Sequence, residues 1–393
     1  MTAVTAASTL YDDALYDEAL PDFSKTYTIG NILARRSAFP GGITMAGCFH
    51  VVPVILLMCM ASFASQSGSR PSVAGPPEAS ISNGLVRAKL YLPDAENGYY
   101  RGTRFDWSGV IASLEYQGHN YFGQWFPRYD PKLHDSISGP VEEYTTGGSA
   151  LNYTDAKPGE TFVKIGVGVL KKPDEPRYAF RNPYEILDSG KWDVRSRPDA
   201  VEFSQELDDP KSGYAYVYRK TVRLATAKPQ LVLEHNLKNT GRKVIETSVY
   251  NHNFLVIDGQ PSGPDFSVSF PFEIKGASEM PGLAEARGNR IVYLKTLEER
   301  QTARTAVEGF GGDAKDYDIR VENRKTGAGV RILGDRPLAR IAFWSIRTTL
   351  CPEAFIEMKI EPGKDFSWRI TYDFYTLPER GEAGKLGTRH EWR

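Results

Sequence analysis

Two residues of this chain have types and settings suited to moving protons. His252 ends a run of alternating side chains, residues 244–254 (VIETSVYNHNF), in which Tyr250, His252 and Phe254 share a face because side chains repeat every two residues along a strand. An imidazole between two aromatic rings is expected to stay neutral, and a strand end beside the Gly/Pro/Asp/Ser loop of residues 258–265 places it to meet a ligand. Glu353 follows an apolar run, residues 341–346 (IAFWSI), and precedes a closing hairpin that turns at Pro362-Gly363. Beside Trp344 and Phe355 its carboxyl is expected to be partly desolvated, which raises its pKa toward the range of a working base. Glu357 and Glu361 compete for that role, but one falls inside the next strand and the other at the turn. A third group, within residues 99–125, crowds Arg101, Arg104, Asp106, Trp107, His119, Tyr121 and Trp125 together. That mixture suits a polyhydroxylated ligand: ring faces cover C–H patches, and planar charged groups take paired hydroxyls. Each residue also has a plainer reading, as a core histidine, a loop carboxylate or an ion pair beside packed aromatics.

The elements that must hold these groups read as strands. With 12% aromatics, 36 glycines and 25 prolines in 393 residues, the composition favours many short strands joined by turns. Residues 231–254 alternate, turn at Asn239-Thr240-Gly241 and alternate again, the pattern of two antiparallel strands with one buried face. Single strands are expected over residues 81–94, 110–116, 162–170 and 184–194, with Gln117-Gly118-His119-Asn120 as a hairpin turn, and two more follow at 200–207 and 215–225. Tyr214, Tyr216 and Tyr218 fall on one face and read as cross-strand packing. Residues 316–346 read as strand, turn, strand, turn, strand, and 356–360 and 366–375 as the closing strands. Only residues 294–306 (LKTLEERQTARTA) have a helical composition.

The formal charge of −1 gives no excess of positive charge to hold a phosphate backbone, so nucleic acid is not an expected partner. There is no Gly-rich phosphate loop, clustered Cys/His set or Gly-x-Ser-x-Gly nucleophile, and Asp313, Asp316 and Asp318 lack the pattern of a calcium loop. No cofactor and no metal are therefore expected. Residues 45–66 contain an apolar run, 51–60, too short for a membrane span but suited to a secretory signal, and Ser62-Phe63-Ala64 offers a small-residue exit. The expected division is an extension or mis-assigned start over 1–44, a signal peptide over 45–66, a linker over 67–78 and one domain over 79–393. A periplasmic or extracellular location follows, with no membrane span in the mature chain. Cys48 and Cys59 lie in the signal, leaving Cys351 alone and no intramolecular disulfide.

The segments LEHNLKNTG and YNHNFLVIDG resemble a part of the galactose mutarotase (aldose 1-epimerase) superfamily. There one strand ends in Asn-Thr or Asn-Asp and the next delivers a catalytic histidine in an Asn-His-x-Phe setting. Asn239-Thr240, Asn251, His252 and Phe254 take those places, with Asn253 where a small or aromatic residue is usual. Cys351-Pro352-Glu353 is similar to the Cys-x-Glu that carries the family's catalytic glutamate ahead of a Pro-Gly turn, with Ala354 where many members have proline. The resemblance implies an all-β fold, a large antiparallel β-sandwich (supersandwich) with a concave ligand face. It also implies His252 as the acid and Glu353 as the base of anomer interconversion, Arg104 as a binding arginine and His134 as a second histidine from a loop. Asp106, Trp107 and Trp125 complete the expected carbohydrate contacts, while Glu142 and Glu143 either flank the site or solvate a loop. The competing expectation is a glycan-binding or glycan-processing, lyase-like sandwich without epimerase activity.

Overall fold

The computed structural model describes residues 75–277 and 280–378, so the signal-like segment and most of the linker lie outside the described residues. Among those described there is no α-helix, only two single 3-10 turns at Ile257–Gly259 and Ala314–Asp316, and no helix long and apolar enough to cross a membrane.

The chain begins with β1 (Glu78–Ser82), β2 (Val86–Tyr91), β3 (Val110–Tyr116) and β4 (His119–Asn120), which pair in order as a small sheet, and then enters β5 (Val141–Thr145). Three short strands follow as a second small sheet, β6 (Thr161–Lys164), β7 (Gly168–Lys171) and β8 (Ile186–Asp188). Next come β9 (Lys191–Arg197), β10 (Ala200–Asp209), β11 (Tyr214–Leu224), β12 (Gln230–Asn239), β13 (Ile245–His252), β14 (Phe266–Ser269), β15 (Ala284–Arg287) and β16 (Arg290–Tyr293). The last six are β17 (Ala303–Ala306), β18 (Asp318–Asn323), β19 (Ala328–Gly334), β20 (Arg340–Ile346), β21 (Thr349–Ile360) and β22 (Asp365–Thr376).

Two large antiparallel sheets dominate. A ten-stranded sheet runs β15-β16-β14-β18-β19-β22-β12-β11-β10-β9, and a five-stranded sheet runs β17-β20-β21-β13-β5. The alternation seen in the sequence becomes burial: β12 and β22 send Leu231, Leu233, Leu237, Trp368, Ile370, Tyr372 and Phe374 inward, and β13 and β21 answer with Val249, Ala354, Ile356 and Met358. This is the large antiparallel β-sandwich expected from the sequence.

The strands flanking Asn239-Thr240-Gly241 are both present, but they do not pair with each other. β12 pairs with β11 and β22, whereas β13 pairs with β21 and β5, so the turn is a corner between the sheets. Residues 361–364 make a matching corner from β21 to β22. Asn239 ties the two: its backbone bonds Lys364 O and Gly363 N, and its side-chain amide donates to Lys243 O and Ile360 O, both at 2.8 Å. A side chain at Gly241 would begin 2.5 Å from Ala215 N, so only glycine lets the corner pass that close.

Four further expectations are corrected. Residues 81–94 form parts of two strands, β1 and β2, because Asn83 Oδ1 accepts from Leu85 N and Val86 N and closes a turn. Residues 162–170 are a hairpin, and 184–194 break at Ser189-Gly190. Residues 294–306 are not helical. Arg300 takes φ +77° in an exposed turn and Ala303–Ala306 joins the edge of the five-stranded sheet, where pairing with β20 overrides a modest helical propensity.

Candidate active site

The site is built on the five-stranded sheet, which is covered on both faces. One face meets the ten-stranded sheet; the other meets an apolar group that includes Phe105, Trp107, Trp125, Ile137, Phe162 and Phe254. Adjacent Glu142 and Glu143 on β5 therefore point into different surroundings. Glu142 enters the space between the large sheets, where it accepts from His235 Nε2 at 2.9 Å and Asn251 Nδ2 at 3.0 Å and pairs with Lys220 Nζ. Glu143 enters the second face, where Arg104 Nε donates to it at 2.7 Å and the Tyr250 hydroxyl at 2.5 Å.

On that second face β13 and β21 bring His252 and Glu353 together. Continuing the register of Tyr250 with Phe355 sets these two side by side, with Nε2 of His252 3.3 Å from Oε1 of Glu353. Both are almost fully buried, at 4% and 1% exposure. The imidazole stacks on Phe254 at 3.7 Å between ring centroids, Phe254 stacks in turn on Trp125 at 4.6 Å, and Phe105 and Trp344 meet the imidazole edge-on. Phe254 holds φ +40°, an uncommon conformation for an aromatic residue, with its ring fixed between His252 and Trp125. The loop ahead of β5 passes directly over this strand end: a side chain at Gly139 would begin 2.3 Å from Asn253 O.

Burial separates the pair's proton affinities. It lowers His252 well below the usual imidazole range, helped by the positive charge of Arg104, and raises Glu353 to about 8 even though Arg104 and Arg340 oppose the rise. Apart from the His252 contact, neither carboxyl oxygen of Glu353 has a hydrogen-bond partner among the described residues, nor has Nδ1 of His252. At neutral pH the pair thus holds one proton, mainly on the carboxyl. Burial therefore favours the neutral imidazole, the form expected from the sequence.

Arg104 is the hub of the surrounding charges. Besides Glu143 it donates to Asp135 Oδ1 at 2.6 Å and to the Tyr250 hydroxyl at 3.2 Å, and its guanidinium lies 4.4 Å from the Phe105 ring centroid and 4.2 Å from that of Phe180. Asp135 in turn meets Nε2 of His134 at 3.2 Å through its other oxygen. Burial would raise the Asp135 and Glu143 carboxyls, but Arg104 holds both below the ordinary range, with His134 and Lys164 adding to the effect on one each. At 21% and 32% side-chain exposure, His134 and Asp135 form the accessible side of the site.

Of the seven residues expected to act on or bind a sugar, His252, Glu353, Arg104 and Trp125 meet here, and His134 joins through Asp135. Trp107 packs in the same apolar group, its indole N–H donating to Gly102 O at 2.8 Å. Asp106 belongs elsewhere, a correction to its expected place among the sugar contacts. It is 1% exposed, accepts from Ser108 at 2.6 Å and Tyr218 at 3.0 Å, and lies 3.8 Å from Lys220 in the Glu142 cluster. Burial raises its carboxyl to about 6 against the pull of Lys220. Asp135, Tyr250, Phe180 and Arg340 were not picked out beforehand. Of these only Tyr250 carried a usable sign, its shared parity with His252.

His252, Cys351 and Glu353 offer ligand atoms all within 4.8 Å of one another, a spacing that could take a metal ion. The Cys351 sulfur, however, accepts from Phe254 N at 3.1 Å and burial pushes its thiol well up, so it presents no thiolate. What the face offers most directly is a proton donor and a proton acceptor in contact, held dry by aromatic rings.

No protein-family model matches the chain, and no curated protein matches its sequence. Among solved structures it is similar to an aldose epimerase homologue from C. elegans at 15% identity, covering 77% of this chain and 99% of that one, with a TM-score of 0.49. It is similar also to a galactose mutarotase related enzyme from Lactobacillus acidophilus, at 12% identity over 77% and 98% of the two chains and a TM-score of 0.46. A galactose mutarotase-like protein from Clostridium acetobutylicum overlays at 13% identity, over 76% and 95%, again with a TM-score of 0.46. Proteins described as galactose mutarotase-like or aldose epimerases thus recur among the structural neighbours of this chain.

Proposed function

We propose that this chain interconverts the anomers of a sugar by general acid-base catalysis at His252 and Glu353. The reaction removes the proton of the anomeric hydroxyl and delivers one to the ring oxygen. The O–H electron pair becomes the carbonyl bond, the ring C–O pair leaves to the protonated ring oxygen, and closure on the other carbonyl face gives the other anomer. The two oxygens sit on one carbon, so an acid and a base in contact can serve both. The observation that carries the reading is the 3.3 Å contact of His252 with a buried Glu353 carboxyl that has no other hydrogen-bond partner among the described residues. A buried polar group without partners is costly unless a ligand supplies them.

Proton balance closes within the pair. Whichever partner protonates the ring oxygen, the other takes the anomeric proton, and the pair still holds one. The sequence reading made His252 the donor. In the unliganded site the proton rests on Glu353, so that assignment holds once the proton has crossed to Nε2, and the reverse assignment holds before. Acid and base each contribute about 100 to 10,000-fold, enough for a ring opening that already proceeds slowly in water.

Polarimetry of freshly dissolved aldoses tests the proposal. The protein should speed the approach to rotational equilibrium for at least one sugar, and His252→Asn should abolish that. Sugar binding with no acceleration would replace it with the glycan-binding reading. The same proposal places the protein outside the cytoplasm, on the strength of the apolar run at 51–60 and the small residues up to Ala64. N-terminal sequencing from the native host checks this, and a cytoplasmic chain that retains residues 45–66 would overturn it.

A further inference from the structure

The charged cluster between the two large sheets takes no part in the sugar chemistry, yet it holds an amine, a carboxyl and a proton carrier in a dry core. The side chains of Lys220, Asp106 and Glu142 are each 0% exposed. Lys220 Nζ donates to Ser108 O at 2.8 Å, pairs with Glu142 Oε2 and lies 3.8 Å from Asp106 Oδ2. Asp106 is not free to turn away from the amine. Its backbone N–H bonds Glu142 O at 2.9 Å, and Gly166 packs so close that a side chain there would begin 2.6 Å from Asp106 Oδ1.

The Asp106 carboxyl is also polarised as an acyl donor must be. Ser108 N donates to Oδ1 at 2.9 Å, and Ser108 Oγ and the Tyr218 hydroxyl donate to Oδ2 at 2.6 and 3.0 Å. Negative charge that gathers on these oxygens as a nucleophile adds to Cγ therefore meets donors already in place. The two carboxyls differ as the two roles require. Burial raises Asp106 to about 6, so its neutral acid is within reach, whereas against the same burial Lys220 and His235 hold Glu142 below the ordinary range, as a carboxylate that can take a proton.

We propose that Lys220 and Asp106 condense into a side-chain amide bond, with Glu142 carrying the protons. The lysine nitrogen bonds to Cγ of Asp106, and one C–O bond of the acid breaks. Of the three hydrogens on the ammonium, one passes to Glu142 and stays there, one is relayed to the departing hydroxyl, which leaves as water, and one remains on the amide nitrogen. An ammonium and a carboxylate are consumed and no charge is left, which removes the cost of holding ions in a dry core. Water opposes condensation, but groups fixed in contact reach effective concentrations of about 10⁵ to 10⁸ M. The step is slow, because the ion pair must first give way to a neutral amine and a neutral Glu142. Freshly folded protein is thus in the ion-paired form, and the bond accumulates afterwards. It ties the segment that carries Arg104 to β11 across the sandwich, a staple in a chain whose described residues have no disulfide.

Peptide mapping by mass spectrometry tests this on the full chain, digested when fresh and after a week at room temperature. The expected result is a joined pair of peptides containing Asp106 and Lys220, one water lighter than the two together, whose share rises with time. Lys220→Arg should leave the two peptides separate. Glu142→Gln, checked for an unchanged circular dichroism spectrum, should slow the joining about 100-fold or more. Peptides that stay separate in the aged parent would overturn the inference, as would a joint at Glu142 in place of Asp106, or joining that is as fast in Glu142→Gln as in the parent. Because the parent alone supplies the first of these results, a variant that fails to fold leaves the test intact.

Discussion

Replacing Glu353 with Gln should make the protein more stable at neutral to alkaline pH while removing its activity. Burial raises this carboxyl from 4.5 to about 8; Arg104 and Arg340 pull the other way, Glu143 and Asp135 add to the rise, and neutral His252 lies in contact. Between those two values the unfolded carboxyl has lost its proton and the folded one keeps it. The native state then binds more protons than the unfolded state, so stability falls as pH rises, by about 1.4 kcal/mol per unit. Over the whole window this amounts to about 4 to 5 kcal/mol, a large share of the 5 to 15 kcal/mol that typically holds a domain together. Glutamine cannot ionise and lacks the slope. The cost of any imperfect pairing of its amide does not change with pH, and the raised Asp106 carboxyl titrates alike in both proteins. Urea denaturation at pH 5, 6, 7 and 8, followed by tryptophan fluorescence, should show the stability of the variant gaining on the parent by about 3 kcal/mol or more across the series. Parallel pH dependences would show that Glu353 has an ordinary carboxyl, and the site as described would be wrong.

Lys220→Met should cost about 3 to 5 kcal/mol, because it leaves Glu142 and Asp106 facing each other without their cation. Adding Glu142→Gln should recover most of it, and a single-variant loss below about 1 kcal/mol in denaturation would contradict the cluster. Arg104→Lys keeps the charge but cannot fork between Glu143 and Asp135, so steady-state kinetics should show KM for the sugar rising about tenfold with a smaller change in kcat. An unchanged KM would remove Arg104 as the residue that positions Asp135 and His134. His252→Asn should lower the anomerisation rate about 100 to 10,000-fold. It should also reduce stability modestly, because a ring stacked on Phe254 is lost; an unaltered rate would show His252 to be a core residue only.

The sequence was most legible where local pattern and physical cause coincide. Alternation set the faces of β12, β13 and β22 and put Tyr250, His252 and Phe254 together, because a strand's period of two fixes which side chains share surroundings, but it started the next strand at residue 356, whereas β21 begins at Thr349 and holds Glu353 within it. It could not say which strands pair. The 240–244 turn reads like a hairpin, yet it is a corner held by Asn239, since pairing depends on residues more than 100 positions away. Glu142 and Glu143 could be seen as neighbours of a site, but only the position of β5 between two packed layers sends one to Lys220 and the other to Arg104. Asp106 looked like a ligand contact because it sits two residues from Arg104. The chain there is not a regular strand, so parity gave no guide to where its side chain goes. Arg340 had no sequence sign at all, because only the pairing of β20 with β21 brings it opposite Phe355 and near Glu353.

The dependence of kcat/KM for anomer interconversion on pH tests the paired proton most directly. Because the working form holds a single proton between His252 and Glu353, activity should fall as pH rises through about 8, where the pair loses it. It should fall again in acid, at a pH well below the ordinary imidazole range, where His252 gains a second one. A rate that climbs through pH 8 would mean that Glu353 works as an independent carboxylate base, and a profile with no basic limb would mean that this pair does not carry the reaction.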